Sequence, residues 1–375
     1  MREVSVYIHI PFCERKCNYC SFCSQVASRD KQAEYVSALE QEIAMRSDKT
    51  ADVATVYFGG GTPSLIDAEL ILRIVDAVKA GFNLSDNAEI TLEANPNSVT
   101  NEKLDIYKKC GVNRISLGLQ SHKGKLLSML GRPHDYAQFE RAVEFVKASG
   151  FNNFNVDVML GLPGQKVGHV RRTLKKVIKS GATHISAYGL ILEFGTRLEN
   201  AVSEGELLEC PEDLAVEMYN VACKLLARRG FERYEISNFA RSGFESKHNL
   251  NYWARGEYLG FGLSAYTFNK GERKENTHNL EDYIEQIAKG KLPVISVEKE
   301  SKETAEKEYI MLSLRTSRGI DLLDYATKFK KDFVKTYRSS VEQMIGSGFM
   351  HLNDGRLFVD EEHFNVSNLI IEKFF

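Results

Sequence analysis

The chain has 375 residues, a net charge of −2 from 49 Lys and Arg against 51 Asp and Glu, and 43% hydrophobic residues. At roughly 150 residues per domain this length means two domains, or one large α/β barrel with an appendage; the near balance of charge argues against a nucleic-acid binder or a polyacidic tail protein. No apolar run reaches the ~18 residues of a membrane span, and Met1–Tyr7 enters a strand pattern with no signal-peptide core, so the cytoplasm is the expected location.

Six strand-like runs come first: Val4–Ile10, Thr55–Phe58, Glu89–Leu92, Arg114–Gly118, Asn155–Leu160 and His184–Leu190. Apolar residues at helical spacing separate them, at Tyr35–Ala44, Leu70–Val78, Leu104–Cys110, Phe139–Val146 and Val170–Ile178. Gly81, Gly111, Gly150 and Gly181 stand where helix ends favour a left-handed residue. Strand alternating with helix predicts a parallel sheet with helices outside. The unusual residues sit just after successive strands: a cysteine cluster, Gly59–Pro63, Glu93–Pro96 and Gln120–Ser121, while Asp157 lies in the fifth strand, before Gly161–Gly164. That distribution suits a partial (β/α)6 TIM-like barrel, open on one side, better than a doubly wound sheet, which places its site at one switch point. Beyond a helix at Glu212–Arg228 the pattern changes. Gly290 and Pro293 mark a boundary. Helical stretches at Thr304–Leu314, Leu322–Phe329 and Phe333–Ser347 and a strand pair turned at Asn353–Gly355 predict a smaller C-terminal α/β domain. The expected division is 1–235, a connecting segment 236–292, and 293–375.

Seven cysteines occur, four of them within eleven residues: Cys13, Cys17, Cys20 and Cys23. In a reducing compartment such a cluster means metal or redox chemistry rather than disulfides. A structural zinc site normally uses two separated pairs. Three thiolates on one loop suit three irons of a [4Fe-4S] cube and leave the fourth iron for a small molecule. Zinc, and a set of unrelated thiols, are the alternatives.

The Cys-x3-Cys-x2-Cys spacing behind Tyr7–Phe12 resembles the radical S-adenosylmethionine (SAM) proteins. Together with Phe58–Pro63, Gly111–Ser116, Leu117–Ser121 and Gly161–Gln165, it resembles their HemN/HemW group, the coproporphyrinogen dehydrogenases and the HemW-type haem chaperones, along nearly the whole chain. The resemblance implies a radical SAM barrel with a winged-helix-like C-terminal domain. It implies Cys13, Cys17 and Cys20 as cluster ligands, with SAM on the fourth iron and cleaved there by one electron in the enzymes. It places Tyr7, Tyr19, Gly60, Gly61, Thr62, Glu93, Gln120, Arg132 and Asp157 around SAM, with Ile191 added by its distance after Asp157. Tyr19 would pack on adenine, Glu93 would take an ammonium or ribose hydroxyl, and Arg132 would grip a carboxylate.

The block His248–Trp253 after Tyr234–Ala240 and the short arm before Tyr7 resemble the haem chaperones rather than the dehydrogenases. His248 is then the expected haem ligand, since neutral imidazole is the commonest axial donor. Two features depart from the chaperone pattern: Cys23, three residues after Cys20, and Tyr266 in place of a histidine. The expected function is a haem chaperone holding a [4Fe-4S] cluster, SAM and haem, and delivering haem to apo-haemoproteins, soluble or membrane-bound. An electron donor is implied where SAM is cleaved, nucleic acid is not a partner, and the chain would act as a monomer or homodimer. The alternatives are oxidative decarboxylation of coproporphyrinogen III and a radical SAM haem-modifying enzyme.

Overall fold

The computed structural model describes residues 2–375. In chain order the first half contains β1 (Arg2–Ile10), α1 (Arg29–Met45), β2 (Asp48–Gly60), α2 (Ala68–Gly81), β3 (Phe82–Ala94), α3 (Asn101–Cys110), β4 (Arg114–Gln120), α4 (Gly124–Met129), α5 (Tyr136–Ala148), β5 (Phe154–Leu160), α6 (Val167–Ser180) and β6 (His184–Gly189). Then follow α7 (Arg197–Ser203), α8 (Glu212–Ala227), β7 (Glu232–Arg233), β8 (Asn238–Ala240), α9 (Lys247–Trp253), β9 (Tyr258–Phe261), β10 (Tyr266–Asn269), β11 (Glu272–Asn276), α10 (Leu280–Ala288) and β12 (Val294–Lys299). The remainder is α11 (Lys302–Leu314), β13 (Ile320–Asp321), α12 (Leu322–Phe329), α13 (Phe333–Thr336), α14 (Arg338–Gly346), β14 (Met350–Asn353), β15 (Arg356–Val359) and α15 (Ser367–Ile371).

Strands β1 to β6 lie side by side in chain order, each parallel to the next. That order is the open barrel; a doubly wound sheet would reverse direction partway. Every residue of β4 is buried, as an inner parallel strand covered on both faces requires. The helix ends carry ordinary caps: Thr100 accepts from the Lys103 N–H, and Asp135 and Gln138 form a capping box. Gly111 and Gly181 end their helices in the left-handed region. Gly81 differs from expectation. It is the last residue of α2, outside the left-handed region, and the chain turns directly into β3 through Phe82.

The segment expected only to connect does more. β8 adds antiparallel to β6 and then pairs β7, while β9 adds parallel to β1 and is followed by β10, β11 and β12. The sheet thus has twelve strands and runs past residue 293. These added strands have two to six residues, too short for a readable alternation. A second core, built around Tyr309, Ile310, Leu314, Tyr325, Phe333 and Leu357, belongs to the C-terminal lobe with its three-stranded sheet β13–β15–β14. Arg233 over the Phe364 ring at 4.1 Å and Arg255 paired with Glu300 and Glu308 fasten this lobe to the barrel. Among the described residues no helix is long and apolar enough to cross a membrane.

Candidate functional site

A cavity of about 320 Å³ opens at the C-terminal ends of the barrel strands. Cys13, Cys17, Tyr19 and Cys20 line it from the loop after β1, and Gly60, Gly61 and Thr62 from the end of β2. Glu93, Gln120 and Asp157 come from β3, β4 and β5, and Arg132 from the turn after α4. With Ser186 and Tyr188 of β6, all six parallel strands therefore contribute to one place, and most of the expected residues are there.

Hydrogen bonds, rather than packing alone, shape the cysteine loop. His9 Nε2 donates to the Cys23 carbonyl at 2.8 Å, and the Tyr7 hydroxyl donates to His9 Nδ1 at 3.1 Å. Gly60 makes room for that ring: at φ +108° any Cβ would lie 2.5 Å from the imidazole. Farther along, Asn18 Nδ2 donates to the Met129 carbonyl at 2.8 Å, pinning the loop to the end of α4. The three thiols are held facing the cavity, with Thr62 Oγ1 3.7 Å from Cys13 Sγ and Arg132 Nη1 3.6 Å from Cys17 Sγ. Burial raises the Cys13 and Cys20 thiols above their ordinary value.

Arg132 is buried and donates through Nη2 to the Gly118 carbonyl at 2.7 Å and to Asn95 Oδ1. Its Nε is buried without a partner. A Cβ at Gly118 would come within 2.9 Å of this guanidinium. Gln120 is held at φ +65°, unusual for a side-chain-bearing residue, and accepts from the Tyr188 hydroxyl at 2.9 Å. Strain of this kind collects where a side chain must be aimed. The Glu93 carboxyl is pushed up to about 7, first by burial and then by the nearby Asp157, although the Tyr57 hydroxyl donates to it at 2.7 Å. Burial also raises Asp157, which accepts from Asn155 Nδ2 at 2.6 Å. An orphaned guanidinium nitrogen, two proton-hungry buried carboxylates and three thiols on one loop form a donor set that fits an iron–sulfur cluster with a small zwitterionic ligand beside it.

Three expected residues are placed elsewhere. Tyr7 is not in the cavity lining; it sits behind it and orients His9. Ile191 is 71% exposed and lines a neighbouring cavity, because the chain leaves the barrel wall after Gly189. His248 is the largest correction. Its ring is buried, Nδ1 donates to Thr55 Oγ1 at 2.7 Å, and Nε2 accepts from the Tyr252 hydroxyl at 3.1 Å. The ring also stacks on Tyr57 at 4.9 Å, and burial beside Arg114 lowers it to about 3. Both nitrogens are spoken for inside the barrel, so in this arrangement neither reaches a ligand. Cys23 is turned away from the cavity, donating to the His278 carbonyl at 3.6 Å. Tyr266 is exposed, and its hydroxyl donates to Glu275, which pushes the phenol up to about 12 and disfavours the phenolate.

The lining also holds residues not among those expected there: Asn95, Ser116, Ser237 and Asn238, from stretches the sequence singles out, and Ser186 and Tyr188, which carry no signal beyond their strand. Alternation along the strands points to some of them. Ser116 and Gly118 share the parity of Gln120 on β4, and Ser186 shares that of Tyr188 on β6. Arg114, deeper on the same face of β4, is fully buried with Nε unpartnered, and its charge favours the ionised forms of Glu93 and Asp157.

Comparison with known proteins agrees with this geometry. Residues 7–177 match the radical SAM superfamily, and residues 301–362 match the HemN C-terminal domain. The chain is 35% identical over 365 residues to the haem chaperone HemW of Bacillus subtilis, covering 96% of this chain and 95% of that one. It is 34% identical to the HemW of Lactococcus lactis, covering 99% and 97%. Coproporphyrinogen III oxidase HemN of Escherichia coli has the same fold, with a TM-score of 0.87 over 100% of this chain and 90% of that one at 21% identity.

Proposed function

The chain belongs to the HemW family within the radical SAM superfamily, and from that premise we propose that it is a haem chaperone that binds a [4Fe-4S] cluster, SAM and haem and passes haem to apo-haemoproteins in the cytoplasm or at the membrane. The observation that carries this reading is identity across nearly the full length of both chains with HemW. Cys13, Cys17 and Cys20 hold the cluster. When bound, the cluster supplies one-electron chemistry at an iron that no protein side chain occupies. Gly60, Gly61 and Thr62 offer backbone groups to the methionine part of SAM, and Tyr19 offers its ring to adenine. Arg132 takes a carboxylate and Glu93 an ammonium or a ribose hydroxyl. Gln120 and Asp157 complete the polar wall.

The reading is tested by loading the anaerobically reconstituted protein with haem and mixing it with an apo-haemoprotein. Haem should move to the recipient, as shown by recovery of the recipient's spectrum, while coproporphyrinogen III given with SAM and a reductant remains unchanged. Catalytic formation of protoporphyrinogen, with 5′-deoxyadenosine in proportion, would replace the carrier by an enzyme.

A further inference from the structure

A second cavity, about 960 Å³, lies between β6, α8 and the C-terminal lobe. Its walls are mainly apolar, with Leu160, Leu190, Leu192, Ala215, Val216 and Ile236 among them. Tyr188 and Tyr219 add aromatic faces, and their hydroxyls are engaged by Gln120 and the Ile236 carbonyl. The charged residues in the lining are Arg315, at the end of α11, and the carboxylates Glu209, just before α8, and Glu212, at its start. Arg315 Nη2 donates to Asn368 at 3.1 Å, and its Nε is buried with no hydrogen-bond partner. Tyr188 and Ser237 line this cavity and the cysteine cavity alike, so the two adjoin. The rim is apolar too: Ile191 at the mouth is 71% exposed, and Phe194 and Leu208, on the segments that form the mouth, are 95% and 84% exposed.

We propose that this cavity seats the haem macrocycle, with Arg315 of the C-terminal lobe pairing a propionate. The inference rests on the haem-carrier reading and supplies its binding site. The chemistry selects the ligand. A space of this size is at the upper end for a small-molecule pocket. Apolar walls with aromatic faces suit a broad, flat, apolar ring. A guanidinium with an unused nitrogen suits a carboxylate at the edge of that ring, which it can grip bidentately. An exposed apolar rim suits a carrier that must let the ligand in and out rather than enclose it. Among the described residues no histidine lines the cavity, and the one lining thiol, Cys210, donates to the Pro211 carbonyl at 3.6 Å, so recognition is assigned to the macrocycle and its carboxylates rather than to iron.

The experiment titrates the reconstituted protein with hemin and with metal-free protoporphyrin IX, following absorbance and fluorescence quenching. Both should bind with affinities within several-fold of each other. Ala215→Trp, which fills the cavity, should weaken both by at least about 30-fold while iron content and SAM binding stay unchanged. Arg315→Ala should weaken both by about 10-fold, the usual scale for a charged hydrogen bond, with partial recovery in Arg315→Lys. Protoporphyrin IX dimethyl ester, lacking carboxylates, should bind wild type and Arg315→Ala alike. Wild-type hemin binding that is undiminished in folded Ala215→Trp, or failure of the metal-free porphyrin to bind, overturns this seat and leaves the carrier reading standing. Should Ala215→Trp fail to fold, equal hemin affinity of wild type and Arg315→Ala overturns it instead. Absence of hemin binding in the wild type removes the carrier reading and this inference together. Tighter binding of a fatty acid or an apolar peptide than of protoporphyrin IX also overturns it.

Discussion

The cysteine loop and the block His248–Trp253 have similar raw material, metal-ligating side chains beside aromatics, but the fold treats them in opposite ways. Around Cys13, Cys17 and Cys20, the backbone and the neighbouring His9 and Asn18 make the hydrogen bonds, and the thiols are left facing a cavity. Around His248, the ligand atoms themselves make the bonds, to Thr55 and Tyr252, while the Glu89 carboxylate accepts the first N–H groups of α9. A side chain is available for chemistry when other groups hold its loop in place. It is structural when its own polar atoms do the holding.

The sharpest test of this contrast is the cluster. Cys13→Ala, Cys17→Ala and Cys20→Ala should each lose the four-iron content and the visible absorption after anaerobic reconstitution, measured by iron assay and spectrum. Next in size is His248→Ala. It removes a buried ring and leaves the Tyr252 hydroxyl without its acceptor, while Thr55 Oγ1 keeps its bond to Ser5 Oγ, so it should cost about 3 kcal/mol of stability, read from urea unfolding. If His248→Ala instead keeps wild-type stability and changes only the haem spectrum, the contrast fails and His248 returns as a ligand.

A smaller effect comes from Glu93, whose carboxyl titrates near 7 among Tyr57, Asp157 and Arg114. Because its folded value lies above the usual 4.5, the apoprotein loses stability as pH rises from about 4.5 through about 7. SAM binding has the opposite sign, since a positively charged or hydroxylic ligand favours the carboxylate. SAM affinity should fall as pH drops through 7, approaching 10-fold per unit, and Glu93→Gln should flatten the profile; equilibrium dialysis between pH 6 and 8 reads it. The smallest effect is expected at Cys23, outside the cavity: Cys23→Ala should retain iron and absorption within error. Loss as complete as for Cys17→Ala would make it a fourth ligand and close the iron that the contrast leaves open.

Much of this molecule is legible from its sequence. The six strands, their consecutive order, the cysteine spacing, the strand-end positions of Gly60, Glu93 and Gln120 and the place of Asp157 within β5 all follow from local periodicity and turn chemistry, which depend on neighbours in the chain. The left-handed ends at Gly111 and Gly181 belong to the same class. Long-range packing alone decided the rest. The strands that widen the sheet are too short to show a period, and they exist because the barrel edges at β1 and β6 offer unpaired backbone groups. His248 reads as a ligand until Thr55, 193 residues away, is found against its Nδ1. The large apolar cavity draws on β6, α8 and the lobe beyond α11, so no single stretch of sequence contains it. Local sequence sets which residues lie at strand ends and turns, because those preferences act over a few bonds. Which polar atoms remain unsatisfied, and which apolar surfaces remain uncovered, depends on contacts that exist only after the chain has closed on itself.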